Sequence, residues 1–317
     1  MSTNTRSVLR YPGSKARFVE FIANAIRLNG LRFDVFAEPF CGGASVSIAL
    51  LEKGVVDNIA LNDADPLIAD LWDTIFCPNH SEWLADQVLQ VPLTIDEWKR
   101  QKSLEPTNPR ESALKCLYLN RTSFNGILHK AGPIGGWEQV NRTLDARFNR
   151  ERLAQRIREL SSFSDRVVSV ANNDWENFCE RTRENASTFF FFDPPFFHKA
   201  ESLYGYYFTN KEHSHLRDYL NDLTNHWMLS YDDAPEVRAL YLKHTGRARV
   251  IDSTYSAHPM GGASFVGREL FFSNLSRLPS PAQEDAVHIG LTIRQFKRGA
   301  KHGLGLTRIP TAPTAIA

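Results

Sequence analysis

Residues 33–63 read FDVFAEPFCGGASVSIALLEKGVVDNIALND, and this stretch decides the fold. Phe33 to Ala37 alternates and then runs apolar, which predicts a buried strand ending at Glu38. Gly42 and Gly43 follow at the turn, where backbone without a Cβ lets a ligand approach closely. Residues 44–53 predict a helix stopped by Gly54, whose first N–H groups suit a carboxylate or phosphate. Asn58 to Asn62 predicts a second strand, and Asp63 sits at its end. An acid there, about 20 residues past the glycines, can accept hydrogen bonds from ribose hydroxyls. The plain alternative is an ordinary tight turn. The spacing GxGxxG is absent, so a nicotinamide dinucleotide fits poorly. With a further helix over 66–76, the pattern is βαβ and implies an α/β protein with a doubly wound sheet.

Upstream, apolar residues at 18, 19, 22, 23 and 26 predict a helix over 16–28. Downstream, residues 81–163 contain few strand-like runs. Helical patterns at 112–119 and 147–160, interrupted by the Gly-rich loop at 130–136, predict a mainly helical insertion. Strands resume at 167–170, 188–192 and 226–230. RARVIDSTYS and RELFFSNL then predict an antiparallel hairpin, which makes the sheet mixed. The expected division is a catalytic unit at 1–80 and 164–275, a helical unit at 81–163 and a flexible basic tail at 276–317.

The 317 residues carry 37 Lys+Arg against 36 Asp+Glu, a net charge of +1 that argues against coating nucleic acid by bulk electrostatics. The charge is unevenly placed. Nine acids and no Lys or Arg lie between Asp57 and Glu97, whereas Trp98 to Arg158 holds thirteen bases and five acids. The first block is expected to face away from an anionic partner and the second towards it. No apolar run approaches the roughly 20 residues that span a bilayer. The N-terminal stretch lacks the apolar segment of a secretory signal, so a cytoplasmic location is expected. Cys41, Cys77, Cys116 and Cys179 show neither CxxC pairing nor ligand-like spacing, which points to reduced thiols and no zinc.

A second motif, FFFFDPPFF at 189–197, ends an apolar strand in a carboxylate and two prolines. Proline has no N–H to donate. Asp193 and the Pro194 carbonyl could then both accept from an amino group, with Phe196 offering a face for stacking. A strand ending in an ordinary proline turn is the bland alternative.

RYPGSK at 10–15, EPFCGGAS at 38–45, LNDAD at 61–65, LNRTSFNG at 119–126, NDW at 173–175 and DPPF at 193–196 stand in one order. In that order the chain, from about Leu9 to Leu275, resembles the DNA adenine methyltransferases of the Dam type. The resemblance implies a Rossmann-like methyltransferase fold with a helical DNA-recognition insertion. It further implies transfer of a methyl group from S-adenosylmethionine to the N6 amine of adenine in double-stranded DNA, with the base flipped out. The product would be S-adenosylhomocysteine, and no metal is implied. Two positions depart from the family pattern. DPPF replaces DPPY, which stacking tolerates, and His129 stands where GATC-reading members carry an arginine, which opens the recognition sequence. RNA adenine, DNA cytosine or a protein glutamine as acceptor, or a silent regulator, are the competing readings. A solitary enzyme and the partner of a restriction nuclease both agree with the resemblance.

Residue by residue, the resemblance assigns Tyr11, Pro12, Gly13, Lys15, Pro39, Phe40, Gly42, Gly43 and Ser45 to the cofactor site. Asp63 would hold ribose, Asp174 the adenine amine of the cofactor, and Trp175 would lie beside that ring. Asp193, Pro194, Pro195 and Phe196 would be catalytic. Arg10, Asn120, Arg121, Phe124, Asn125 and His129 are the DNA-contact candidates, with Phe124 as a wedge and Arg10 as a guanine reader.

Overall fold

The computed structural model describes residues 7–11, 13–198, 205–241, 248–255, 265–280 and 292–295. Pro12 and the bulk of the tail lie outside the described residues. The sheet has eight strands in the order β3-β2-β1-β4-β5-β7-β6-β8. Five are parallel: β1 (Val35–Glu38), β2 (Ile59–Asn62), β3 (Val167–Ala171), β4 (Thr188–Phe192) and β5 (His226–Asp232). β6 (Ala248–Tyr255) and β7 (Phe265–Ser273) form the expected antiparallel hairpin, with β7 against β5. The sheet is therefore mixed and doubly wound, as the sequence predicts.

One edge departs from expectation. Thr292–Gln295, inside the segment expected to be flexible, is β8 and pairs antiparallel with β6. Ile293 is buried there, which gives this short piece of tail an anchor in the core.

Strand alternation explains why the central strands are apolar throughout. In β4, Phe189 and Phe191 join one core cluster while Phe190 and Phe192 join the other. In β1, Phe36 falls on the first face and Val35 and Ala37 on the second. Both faces are covered by helices, so neither can be polar.

On the first face lie α1 (Val19–Leu28), α2 (Ser45–Glu52) and α3 (Pro66–Phe76). The segment read as an insertion supplies α4 (Pro78–Gln90), α5 (Ile95–Ser103), α6 (Pro109–Thr122) and α7 (Arg150–Ser161). These helices do not make a core of their own. Leu84, Leu117 and Ile157 belong to the same cluster as Trp72 of α3 and Phe36 of β1. The second face carries α8 (Trp175–Asn185), α9 (Asn210–Asp222) and the short α10 (Pro235–Leu240). No helix among the described residues is long and apolar enough to cross a membrane.

Helix starts are set by caps. Asn149 accepts from the Arg152 N–H at 2.9 Å, so α7 begins at Arg150 and not at the expected Arg147. Asn108 caps α6 with Pro109 at its first position, extending it beyond the predicted 112–119.

Candidate active site

Sheet order reverses between β1 and β4, and a cleft of about 310 Å³ opens at the carboxyl ends of the central strands. This is the topological switch point, where doubly wound sheets bind ligands. Both diagnostic motifs reach it because β1 and β4 are neighbours, with Ala37 opposite Phe190. Tyr11, the loop after β1, Asn62 to Asp65, Gly126 to His129, Asn173 to Trp175 and Asp193 to Phe196 line it.

The glycines serve aromatic rings. Gly42 has φ +43°, and a Cβ there would lie 2.6 Å from the Tyr11 ring. Gly13 has φ +82°, and its Cβ would meet Phe196 at 2.7 Å. An L side chain at either position would be strained and would displace the ring. Ser14 Oγ donates to Ser45 Oγ at 3.0 Å, and Trp72 Nε1 donates to the Gly42 carbonyl at 2.8 Å, which together fix the loop against α3.

Three carboxyls have distinct settings. Asp63 accepts from the Gly42 and Asp65 N–H groups at 2.8 and 3.0 Å, and burial lifts its pKa to about 7 against those bonds. Glu38, buried at the end of β1, accepts from the Ser47 N–H at 2.7 Å. Burial raises it to about 8, opposed by the Ser47 hydrogen bonds and aided by the charge of Asp193. Asp193 is 23% exposed and lies 2.9 Å from the Lys15 ammonium, itself only 3% exposed. Ser230 Oγ donates to Asp193 at 2.7 Å. Both partners take Oδ1, so Oδ2 has no hydrogen-bond partner among the described residues. Lys15 also donates to the Gly13 carbonyl at 2.9 Å and sits 5.5 Å from the centre of the Phe196 ring.

Asp174 is an exposed helix cap whose Oδ1 accepts from the Glu176 and Asn177 N–H groups at 3.0 and 3.4 Å. Trp175 lines the cleft and packs 6.1 Å from Phe40 and 5.1 Å from Tyr219.

The DNA-contact candidates separate. Asn120 is fully buried; it accepts from the Arg10 N–H at 2.7 Å and donates to the Arg10 and Gly126 carbonyls at 3.0 and 2.9 Å. Every polar atom of its amide is committed, which corrects the expectation of a DNA contact: it clamps two loops. Arg121 lies outside the cleft and donates through Nε to the Val8 carbonyl at 2.6 Å and through Nη2 to the same oxygen. Phe124, 51% exposed, and exposed Asn125, with φ +54°, stand at the end of α6. His129 Nε2 meets Asp65 Oδ2 at 2.6 Å, linking the insertion to the loop after β2.

Glu38, Asp65, Tyr206 and Tyr207 are among the cleft residues that carried no assignment from sequence. Glu38 and Asp65 stand inside recognised motifs and were readable there. Tyr206 and Tyr207, each 49% exposed, follow the DPPF motif in a run of aromatics that was the available signal.

The mixed, doubly wound sheet with its cleft at the switch point is that of a Rossmann-like methyltransferase fold. The family model for D12 class N6 adenine-specific DNA methyltransferase matches residues 11–255, and the chain belongs to that family. It is thus an enzyme that methylates adenine in DNA at N6, and the family implies S-adenosylmethionine as the methyl source. No curated protein matches the chain.

Proposed function

We propose that the cleft binds S-adenosylmethionine between the loops after β1, β2 and β3, and presents Asp193 to an adenine rotated out of the duplex. The lining fits such a group. Asp63 and Asp174 are acceptors for hydroxyls and an amine, and Phe40 and Trp175 are flat apolar neighbours. The volume lies in the range of about 300–1,000 Å³ usual for small-molecule sites. When bound, S-adenosylmethionine supplies a methyl group made electrophilic by the sulfonium charge.

The adenine amine is a weak nucleophile because its lone pair is delocalised into the ring. Asp193 Oδ2 and the Pro194 carbonyl accept its two hydrogens, favour a tetrahedral nitrogen and stabilise the positive charge that grows there. Phe196 stacks on the extruded base, offsetting part of an unstacking cost of a few kcal/mol. Phe124, exposed at the end of α6, is placed to wedge into the stack. The 81–163 segment acts as the recognition element. Asn125 and His129 are its candidate base contacts, with His129 released from Asp65 when it reads a base. A restriction nuclease sharing the recognition sequence is a compatible partner.

The observation that carries this reading is the Asp193 carboxylate, pinned through one oxygen by Lys15 and Ser230 with the other left for substrate. Asp193→Ala is expected to abolish transfer of labelled methyl to duplex DNA while cofactor binding persists by calorimetry. Full activity in that variant, or label entering only RNA or protein, would sink the reading.

A further inference from the structure

A second cavity, of about 630 Å³, lies between the N-terminal segment at Ser7 and Val8, the end of α6 and the start of α7. Arginines dominate its charged lining, and they differ in whether a carboxylate balances them; Arg121 is held by the Val8 carbonyl, which fixes its position without neutralising its charge. Arg150 is committed to the Val88, Leu89 and Val91 carbonyls at 2.9, 3.2 and 2.6 Å. Arg156 pairs with Glu52 and Glu159 at 2.7 and 3.1 Å. Arg121 and Arg147 also line the cavity, and neither has a carboxylate partner among the described residues. Arg10 adjoins them, and its Nη1 is buried with no hydrogen-bond partner among the described residues.

Burial and the neighbouring positive charges both act on Arg121 and Arg10. Burial, then the charges of Arg10, Arg152 and Arg147, bring Arg121 down to about 10. Burial and Arg147 lower Arg10. Uncompensated guanidinium groups held together are costly, and an anion placed among them would recover that cost. Guanidinium forks match phosphate oxygens well. Asp145 and Glu151 share the lining and limit affinity for a small free anion.

We propose that Arg10, Arg121 and Arg147 form a binding site for a backbone phosphate of the substrate DNA, beside the methyl-transfer cleft. The proposal rests on DNA being the substrate. Location argues for a phosphodiester of that strand. Ser7 and Val8 line the basic cavity while Tyr11 and Gly13 line the cleft, so one short segment borders both. Three residues span at most about 10 Å, and phosphates recur about every 3.4 Å of rise along a strand. The phosphate thus belongs within about three nucleotides of the target adenine.

The test measures duplex binding by the full chain, loaded with a non-reactive cofactor analogue, across a salt series. Arg147→Gln is expected to weaken binding roughly tenfold, equally for all duplex sequences, and to flatten the salt slope by about 0.9. Arg147→Lys should keep the slope. Single neutral methylphosphonate linkages, placed in turn around the target, should weaken the native protein at one position and leave Arg147→Gln indifferent to that position. An unchanged slope, or a loss confined to one base sequence, overturns the proposal. So does protection of the cluster by inorganic pyrophosphate without any effect of the neutral linkages, which would assign it to a free anion. Asp193→Ala separates the two readings, since it should lose methylation with the salt slope intact.

Discussion

Asp63 combines two backbone hydrogen bonds with a pKa lifted to about 7 by burial. Only the ionised carboxyl can accept from both hydroxyls of a ribose. Cofactor affinity is therefore expected to strengthen as pH rises through about 7 and then level off. Asp63→Asn should bind more weakly with no such step, and calorimetric titration between pH 6 and 8 would check both. A step of equal size in Asp63→Asn would remove this carboxyl from the cofactor site. The same raised pKa means that the folded chain holds the proton more tightly than the unfolded chain. Its contribution to stability is present below the ordinary carboxylate range and is lost as pH rises to about 7. Sequence showed this acid and its partner glycines through their spacing. It could not show that the glycines accommodate Tyr11 and Phe196, because the rings come from distant parts of the chain. For Asn120, a polar residue in a motif reads alike whether it faces DNA or clamps two loops, and only burial decides.

Elements announced by punctuation were legible. β1, β2 and β4 are short apolar runs bounded by Asp, Gly, Pro or Asn, and their predicted spans agree with the structure to within two residues. α8 and α9 were not singled out, because their apolar content is thin: α9 buries only His213, Leu216 and Leu220. Their capping signals were present nonetheless, Asp174 for α8 and a Thr209–Glu212 capping box for α9. Asp174 thus has two duties, holding the first turn of α8 and facing the cleft. Asp174→Ala is expected to cost about 1 kcal/mol of stability through the lost cap. Asp174→Asn, which can still cap, should stay near native stability yet weaken cofactor binding. Equal destabilisation by both substitutions in urea titrations would contradict the capping role. β8 was hidden for a different reason: four residues at a sheet edge carry too little pattern to be read.

For the molecule as a whole, the sequence suggested opposed acidic and basic faces. Part of that contrast is internal. Arg158 of α7 pairs with Glu82 and Asp86 of α4 at 2.6 and 3.1 Å, so the two charge blocks meet each other where these helices pack. Those pairs neutralise part of each block in place, and Arg147, which has no carboxylate partner among the described residues, is one of the bases the proposed phosphate site uses. The shared core also makes the helices of 81–163 inseparable from the sheet. Leu117→Ala in α6 is expected to destabilise the entire protein by about 2–5 kcal/mol, with one calorimetric transition. Two transitions, only one of them shifted, would show an independently folding unit.

Lys15 comes from the first turn of the chain, whereas Asp193, Ser230 and nearby Glu269 come from β4, β5 and β7 regions made progressively later. A polypeptide still on the ribosome and ending before β5 holds the aspartate without its serine donor, and one ending before β4 holds the lysine without its counter-ion. On the proposed role of Asp193, a chain ending before β5 is therefore expected to lack methyl transfer, because its acceptor carboxylate is not yet held.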